Sequence, residues 1–252
     1  MQKNLYLNQK FTKFINNENF EFDRSKILKI LNSDLLEDAY KTISKWQKYK
    51  PTPLESLNKL SKDLELKNIF YKDESKRFGL KSFKALGGAY AVEKITKGRK
   101  DIIVSTATAG NHGKSVAWGA KNLGLNCKIF ISENVSETRA EEMRNLNAEV
   151  IRVKGNYEDS LNVCKKESKK NNWEIIQDVA WPNYELVPKL TMAGYSTMVK
   201  EILNLIRSLQ TFLIQFYLFL LSQLNQFQIK LQIEKQIYPQ LFLFQEYFLF
   251  FL

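Results

Sequence analysis

Lys84 stands in the run Phe78-Gly79-Leu80-Lys81-Ser82-Phe83-Lys84-Ala85-Leu86-Gly87-Gly88, between apolar neighbours at the start of a segment with helical spacing. Apolar surroundings disfavour an ammonium ion and free the amine to attack a carbonyl. Schiff-base chemistry is one reading of this lysine, and an exposed helix lysine is the other. A second run, Ile102-Ile103-Val104-Ser105-Thr106-Ala107-Thr108-Ala109-Gly110-Asn111-His112-Gly113-Lys114, passes from strand to helix through small residues. Such a turn lets backbone N–H groups and the positive end of a helix dipole reach a carboxylate or phosphate. Tight packing is its plainer explanation. Asp178 ends a strand-like segment. There a carboxylate can enter the crevice of an open α/β sheet and act as a base, or merely cap the next turn.

His112, the sole histidine, could carry a proton or simply cap its helix. Having only one excludes a Ser-His-Asp site elsewhere in the chain and any multi-histidine metal site. Cys127 and Cys164 are the only cysteines, too few for a disulfide framework or a thiolate metal cluster, so no metal is expected. Gly113-Lys114-Ser115 matches the end of a phosphate-binding P-loop, and Ile175-Ile176-Gln177-Asp178 loosely resembles its partner strand. Thr108 occupies the position where that loop needs glycine, so nucleotide hydrolysis stands as an alternative.

The elements that would position these groups alternate. Strand-like segments at 68–71, 102–105, 128–132, 149–153 and 174–176 are interleaved with helix-like ones at 82–95, 112–123, 137–145 and 157–170. This order predicts an α/β domain with a parallel sheet and flanking helices. Upstream, Ser33 is expected to cap a helix carrying Leu36, Tyr40, Ile43 and Trp46, stopped by Pro51 and Pro53.

Thirty-eight Lys+Arg against 27 Asp+Glu give a net charge of +11 over 252 residues, yet both signs run through the whole length. Without a concentrated basic patch, nucleic acid is not an expected partner. Met1 opens no signal-peptide pattern, so the cytoplasm is the expected compartment. From Asn204 to Leu252 glycine, alanine, valine and aspartate vanish, while Phe, Leu, Ile and Gln dominate. The apolar runs there are shorter than the roughly 18–20 residues of a membrane-spanning helix, so a bilayer anchor is disfavoured. This stretch is expected to lie outside the native fold.

Together these segments resemble the fold-type II pyridoxal-phosphate enzymes, the group of threonine dehydratase, cysteine synthase and tryptophan synthase β, and most closely the diaminopropionate ammonia-lyases. The resemblance rests on Thr52-Pro53-Leu54, Lys72-Asp73-Glu74-Ser75 with Arg77-Phe78-Gly79-Leu80, Ser82-Phe83-Lys84 and Ala109-Gly110-Asn111-His112-Gly113. Gln177-Asp178-Val179-Ala180-Trp181 and Met192-Ala193-Gly194-Tyr195-Ser196-Thr197-Met198 add the ammonia-lyase's own signatures. The match runs from about Asn4 to Glu201, roughly the N-terminal half of such an enzyme.

The resemblance implies a carbon–nitrogen lyase that eliminates ammonia from 2,3-diaminopropionate to give pyruvate. A dehydratase or lyase of another small amino acid is the nearest alternative, and an inactive or membrane-associated remnant is the remotest. Lys84 would hold the cofactor, pyridoxal 5'-phosphate, covalently; Asn111 would bind its ring oxygen; the loop from Ala109 through Gly110, Asn111 and His112 to Gly113 would receive the substrate carboxylate. The family carries an aspartate for each face of the substrate's Cα. The first falls here on Ala109, so the resemblance assigns proton removal to Asp178 and predicts turnover of the L isomer. Residues 1–81 would begin the larger cofactor domain, 82–203 would form the smaller α/β domain, and 204–252 an atypical tail. The family's glycine-rich phosphate loop has no counterpart after Leu205, which predicts impaired cofactor binding. A complete member would pair as a homodimer.

Overall fold

The structure, a computed structural model, describes Ser25 and residues 29–224, with side chains described through Arg207. The described residues form two compact units, one of those up to Lys50 with Glu74–Thr197, the other of Pro51–Asp73 with those from Met198 onward.

In the first unit, helix α1 (Ser33–Ile43) is capped by Asn32, whose side chain accepts the Leu35 N–H at 2.9 Å. The expected cap at Ser33 is therefore displaced by one residue, because asparagine in an extended conformation caps equally well. Trp46 lies beyond the helix, in an aromatic cluster with Phe78 and Trp118.

Four parallel strands follow in the order β5-β4-β3-β6: β3 (Ile103–Ala107), β4 (Asn126–Ser132), β5 (Ala148–Val153) and β6 (Glu174–Ile175). Helices α4 (Asn111–Leu123), α5 (Glu137–Arg144) and α6 (Tyr157–Asn171) supply the crossovers. The continuous burial of Val104–Ala107 and Ile129–Ser132 fits strands covered on both faces. The chain builds outward from β3 to β5, then returns across the sheet to place β6 on the other side of β3. That reversal creates a crevice beyond the carboxyl ends of β3 and β6, the place where open parallel sheets receive ligands.

Helix α3 (Lys84–Thr96) is buried at every position from Ala85 to Val92. Its Gly87 permits close approach of α7 (Leu186–Leu224): a Cβ on Gly194 would be driven into the Leu86 carbonyl oxygen and lie 2.8 Å from Gly87 Cα. Pro188 is tolerated in the first turn of α7, where its missing N–H has no helical partner to lose.

The second unit holds a two-stranded antiparallel sheet, β1 (Leu54–Ser56) with β2 (Phe70–Lys72), joined through α2 (Asn58–Asp63). The strand expected at 68–71 thus pairs in a hairpin-like sheet instead of joining the parallel one. Lys72 Nζ is buried 2.7 Å from Glu201 Oε2 and donates to the Thr52 carbonyl at 2.6 Å. The Thr52 N–H donates to the same Glu201 carboxylate at 3.2 Å, so a charged pair is fully partnered. The tail from residue 225 lies outside the described residues; α7 continues through the change of composition to Leu224. No helix among the described residues is long and apolar enough to cross a membrane.

Candidate active site

Three elements converge on the carboxyl end of the parallel sheet. Lys84 is the first residue of α3, His112 lies in the first turn of α4, and Asp178 follows β6. Lys84 Nζ lies 2.7 Å from Asp178 Oδ2, and His112 Nδ1 lies 3.6 Å from the same oxygen. Lysine and aspartate are partly open to solvent, with side chains 32% and 19% exposed, whereas His112 is buried at 5%. The lysine head therefore meets a carboxylate instead of a purely apolar pocket, and the Tyr195 ring centroid lies 5.6 Å from it.

The approach to Lys84 is rigidly built. Arg77 is buried and forks onto Glu74 at 2.7 and 2.8 Å, while its remaining arm donates to the Lys50 carbonyl at 3.1 Å. Phe78, held at a φ of 49° that bulky residues rarely adopt, stacks on Trp118 with centroids 4.6 Å apart. At the far end, Ser115 donates from its hydroxyl to the Lys84 carbonyl at 2.6 Å.

Asp178 is positioned by its neighbour. The Gln177 side chain is buried, accepting from the Thr106 hydroxyl at 2.8 Å and the Ala107 N–H at 3.1 Å, and donating to the Ala107 carbonyl at 2.9 Å and the Tyr157 hydroxyl at 2.7 Å. The Gln177 N–H donates to the Tyr184 hydroxyl, which donates in turn to the Ile175 carbonyl. A single amide thus ties β3, α6 and the end of β6 together directly before the carboxylate.

Burial works to raise the Asp178 carboxyl, but His112 and Lys84 outweigh it and hold the group below the usual carboxylate range. Burial likewise depresses His112, with Lys84 adding to the effect and the Asp178 charge and the Ile176 carbonyl opposing it. His112 Nε2 lies 2.9 Å from the Ile176 carbonyl, which accepts only if that nitrogen carries the proton. The neutral ring then presents a bare Nδ1, buried and without a hydrogen-bond partner. With the ring neutral, Lys84 is the group that donates a hydrogen bond to the Asp178 carboxylate, at 2.7 Å.

In the loop from Ala109 to Gly113, the Thr108 hydroxyl accepts the N–H groups of Gly110 at 3.1 Å and Gly113 at 3.3 Å. A Cβ at Gly113 would collide with the Thr108 methyl, so this position admits only glycine. The N–H groups of Ala109, Asn111 and His112 have no acceptor among the described residues. They belong to a turn and helix start with their donors free. The Asn111 side chain is exposed beside them, and Ala109 offers only its carbonyl, which accepts from Arg139 at 3.1 Å. The P-loop alternative loses its support, because Lys114 turns to Glu142 at 3.1 Å and Ser115 is buried against α3. Arg77, Gln177 and Tyr195 lie within the motifs that carry the resemblance, but the contacts that give them their positions at the site come only from the fold.

A family model described as pyridoxal-phosphate dependent enzyme matches residues 45–215. Diaminopropionate ammonia-lyase of Escherichia coli is 37% identical over 179 residues, 64% of this chain and 45% of the relative. The biosynthetic L-threonine dehydratase of Haemophilus influenzae is 32% identical over 165 residues, 65% of this chain and 30% of the relative. Among solved structures, the Escherichia coli ammonia-lyase in complex with an aminoacrylate-PLP azomethine intermediate aligns with a TM-score of 0.72 at 34% identity, covering 77% of this chain and 53% of that one. The chain spans about half the length of the ammonia-lyase it matches.

Proposed function

Because this chain belongs to the pyridoxal-phosphate dependent enzyme family, we propose that it carries the lysine-bearing part of an ammonia-lyase that converts 2,3-diaminopropionate to pyruvate and ammonia. The observation that carries the reading is the meeting of Lys84, Asp178 and His112 at the point where the sheet order reverses. The residues present fit the cofactor's aldehyde and ring end. They offer a partly open amine on Lys84, an exposed Asn111 amide, an orphaned buried nitrogen on His112, and N–H donors of the loop without acceptors among the described residues.

Pyridoxal phosphate, when bound, supplies an electron sink for a carbanion at the substrate's Cα. Lys84 would anchor it and Asn111 would hold the ring oxygen. The N–H groups of Ala109, Asn111 and His112, without acceptors among the described residues and at the start of a helix, suit the substrate carboxylate. Asp178, which accepts a hydrogen bond from the Lys84 amine at 2.7 Å, would take a proton from one face of Cα and exchange it with that amine. The resemblance puts the base for the opposite face at Ala109, which has no side chain that could accept a proton, so the L isomer is the expected substrate. On this reading residues 1–81 begin the larger domain, 82–203 form the smaller one, and a complete enzyme pairs as a homodimer.

The test is a chimera in which residues 1–203 replace the corresponding part of the Escherichia coli ammonia-lyase. Pyruvate release from L-2,3-diaminopropionate is expected to exceed that from the D isomer by roughly tenfold or more, and to exceed that from L-threonine and L-serine. A soluble chimera that favours L-threonine, or turns over both diaminopropionate isomers at equal rates, would contradict the assignment.

A further inference from the structure

His112 Nδ1 and the Tyr195 hydroxyl are both buried at the site without a hydrogen-bond partner, and of the two the imidazole nitrogen can take up a proton to become a cation. That nitrogen faces a carboxylate oxygen 3.6 Å away. A bare lone pair directed at an anion is unfavourable unless a proton can lie between them; burial keeps that proton off the ring, and the lysine head on the same oxygen adds to the effect.

We infer that His112 is the reserve cation of Asp178: when the Lys84 ammonium leaves the carboxylate, the imidazole takes up a proton at Nδ1 and replaces it. The arrangement conserves charge, because one carboxylate keeps one positive partner whichever side chain supplies it. The proton comes from solvent, and the Nε2–H continues to donate to the Ile176 carbonyl, so the ring need not turn. The charged groups acting on the imidazole are Asp178 beyond β6 and Lys84 on α3. Tyr157 on α6 and Tyr195 on α7 lie near the same carboxylate as neutral phenols, since burial and the Asp178 charge both raise them. Burial depresses His112 while the lysine is present; removing the lysine leaves the carboxylate's pull opposed only by desolvation. The inference extends the proposed elimination, in which Lys84 must leave Asp178 to engage other groups. It is tested without turnover.

His112 is the only histidine of the chain, so its ring resonances identify themselves. The full 252-residue chain, labelled with nitrogen-15 at histidine, is titrated by NMR as wild type, Lys84→Met, Lys84→Gln, Lys84→Arg and Asp178→Asn. The His112 midpoint is expected to rise by roughly one unit or more in the methionine and glutamine variants. The arginine variant keeps it at the wild-type position, and Asp178→Asn moves it no higher. A midpoint unchanged or lowered in whichever charge-removing variant folds, judged by circular dichroism, overturns the inference. So does a rise in Lys84→Arg equal to that in Lys84→Met. Because no cofactor is added, a chimera without lyase activity would leave this result untouched, and the two ideas fail separately.

Discussion

Asp178 holds its charge in a half-buried place because the Lys84 amine and the His112 ring face the same carboxylate oxygen and together outweigh burial. Both titratable partners of Lys84 bind protons less tightly in the fold than in the open chain, and this fixes the sign of the pH dependence. Below the ordinary histidine value of 6.5 the unfolded chain takes up a proton that native His112 refuses, so stability is complete above that value and falls with pH. Asp178 acts in the same direction at lower pH: its contribution is present above 3.8 and lost as pH falls through the depressed native value. Thermal unfolding of the full chain should therefore show Tm declining from about pH 6.5 downward, and His112→Gln should flatten the upper part of that decline. A wild-type Tm that stays constant to about pH 5 would show that the imidazole is not held neutral by burial. At this scale the sequence reveals Lys84, Asn111 and Asp178 through their motifs, because each sits in a local run with its own logic. It does not reveal that the lysine head meets a carboxylate, which depends on residues 94 positions apart.

Helix α3 carries the lysine and must be gripped from two sides, and its glycine at Gly87 serves that grip more than any turn. Gly194→Ala places a methyl against the Leu86 carbonyl, backbone that cannot yield, and should destabilise the chain by about 1–3 kcal/mol in denaturant unfolding. Gly110→Ala is the internal comparison: its Cβ would meet nothing within 4 Å, so a smaller loss than for Gly194→Ala is expected. Equal losses in the two variants would refute the close-approach argument. Gln177→Leu strips partners from the Thr106 hydroxyl, both Ala107 backbone groups and the Tyr157 hydroxyl, and should cost about 3 kcal/mol or more by the same measurement. A loss under about 1 kcal/mol would mean that water replaces the amide without penalty. Element types in the α/β part follow from periodicity, and the ends of the predicted strands and helices move by only a few residues. The cap at Asn32, the pairing of β1 with β2 and the 39-residue α7 do not follow. Short strands give too little alternation to reveal a partner, and a helix interrupted near its start by Pro188 reads locally as a loop.

At the scale of the molecule, the lysine, the asparagine loop and the aspartate reside in one compact unit, while the stretch from Asn204 to Leu252 contains no glycine to build a phosphate-binding loop. The 252-residue chain by itself should lose pyridoxal phosphate on gel filtration, whereas the chimera with the Escherichia coli C-terminal part should retain about one equivalent, read from borohydride-fixed label at Lys84. Retention of a full equivalent by the chain alone would show that its own N–H donors suffice. The amino-acid order by itself determines the alternating α/β pattern, the family and the identity of the candidate groups, because periodicity and motif spacing are local properties written along the chain. Only the tertiary structure decides that His112 turns a bare nitrogen toward Asp178, that Gln177 locks that carboxylate in place, and that Thr108 consumes part of the loop's donors. Those facts arise where the sheet order reverses and distant segments become neighbours, and no property of any one segment contains them.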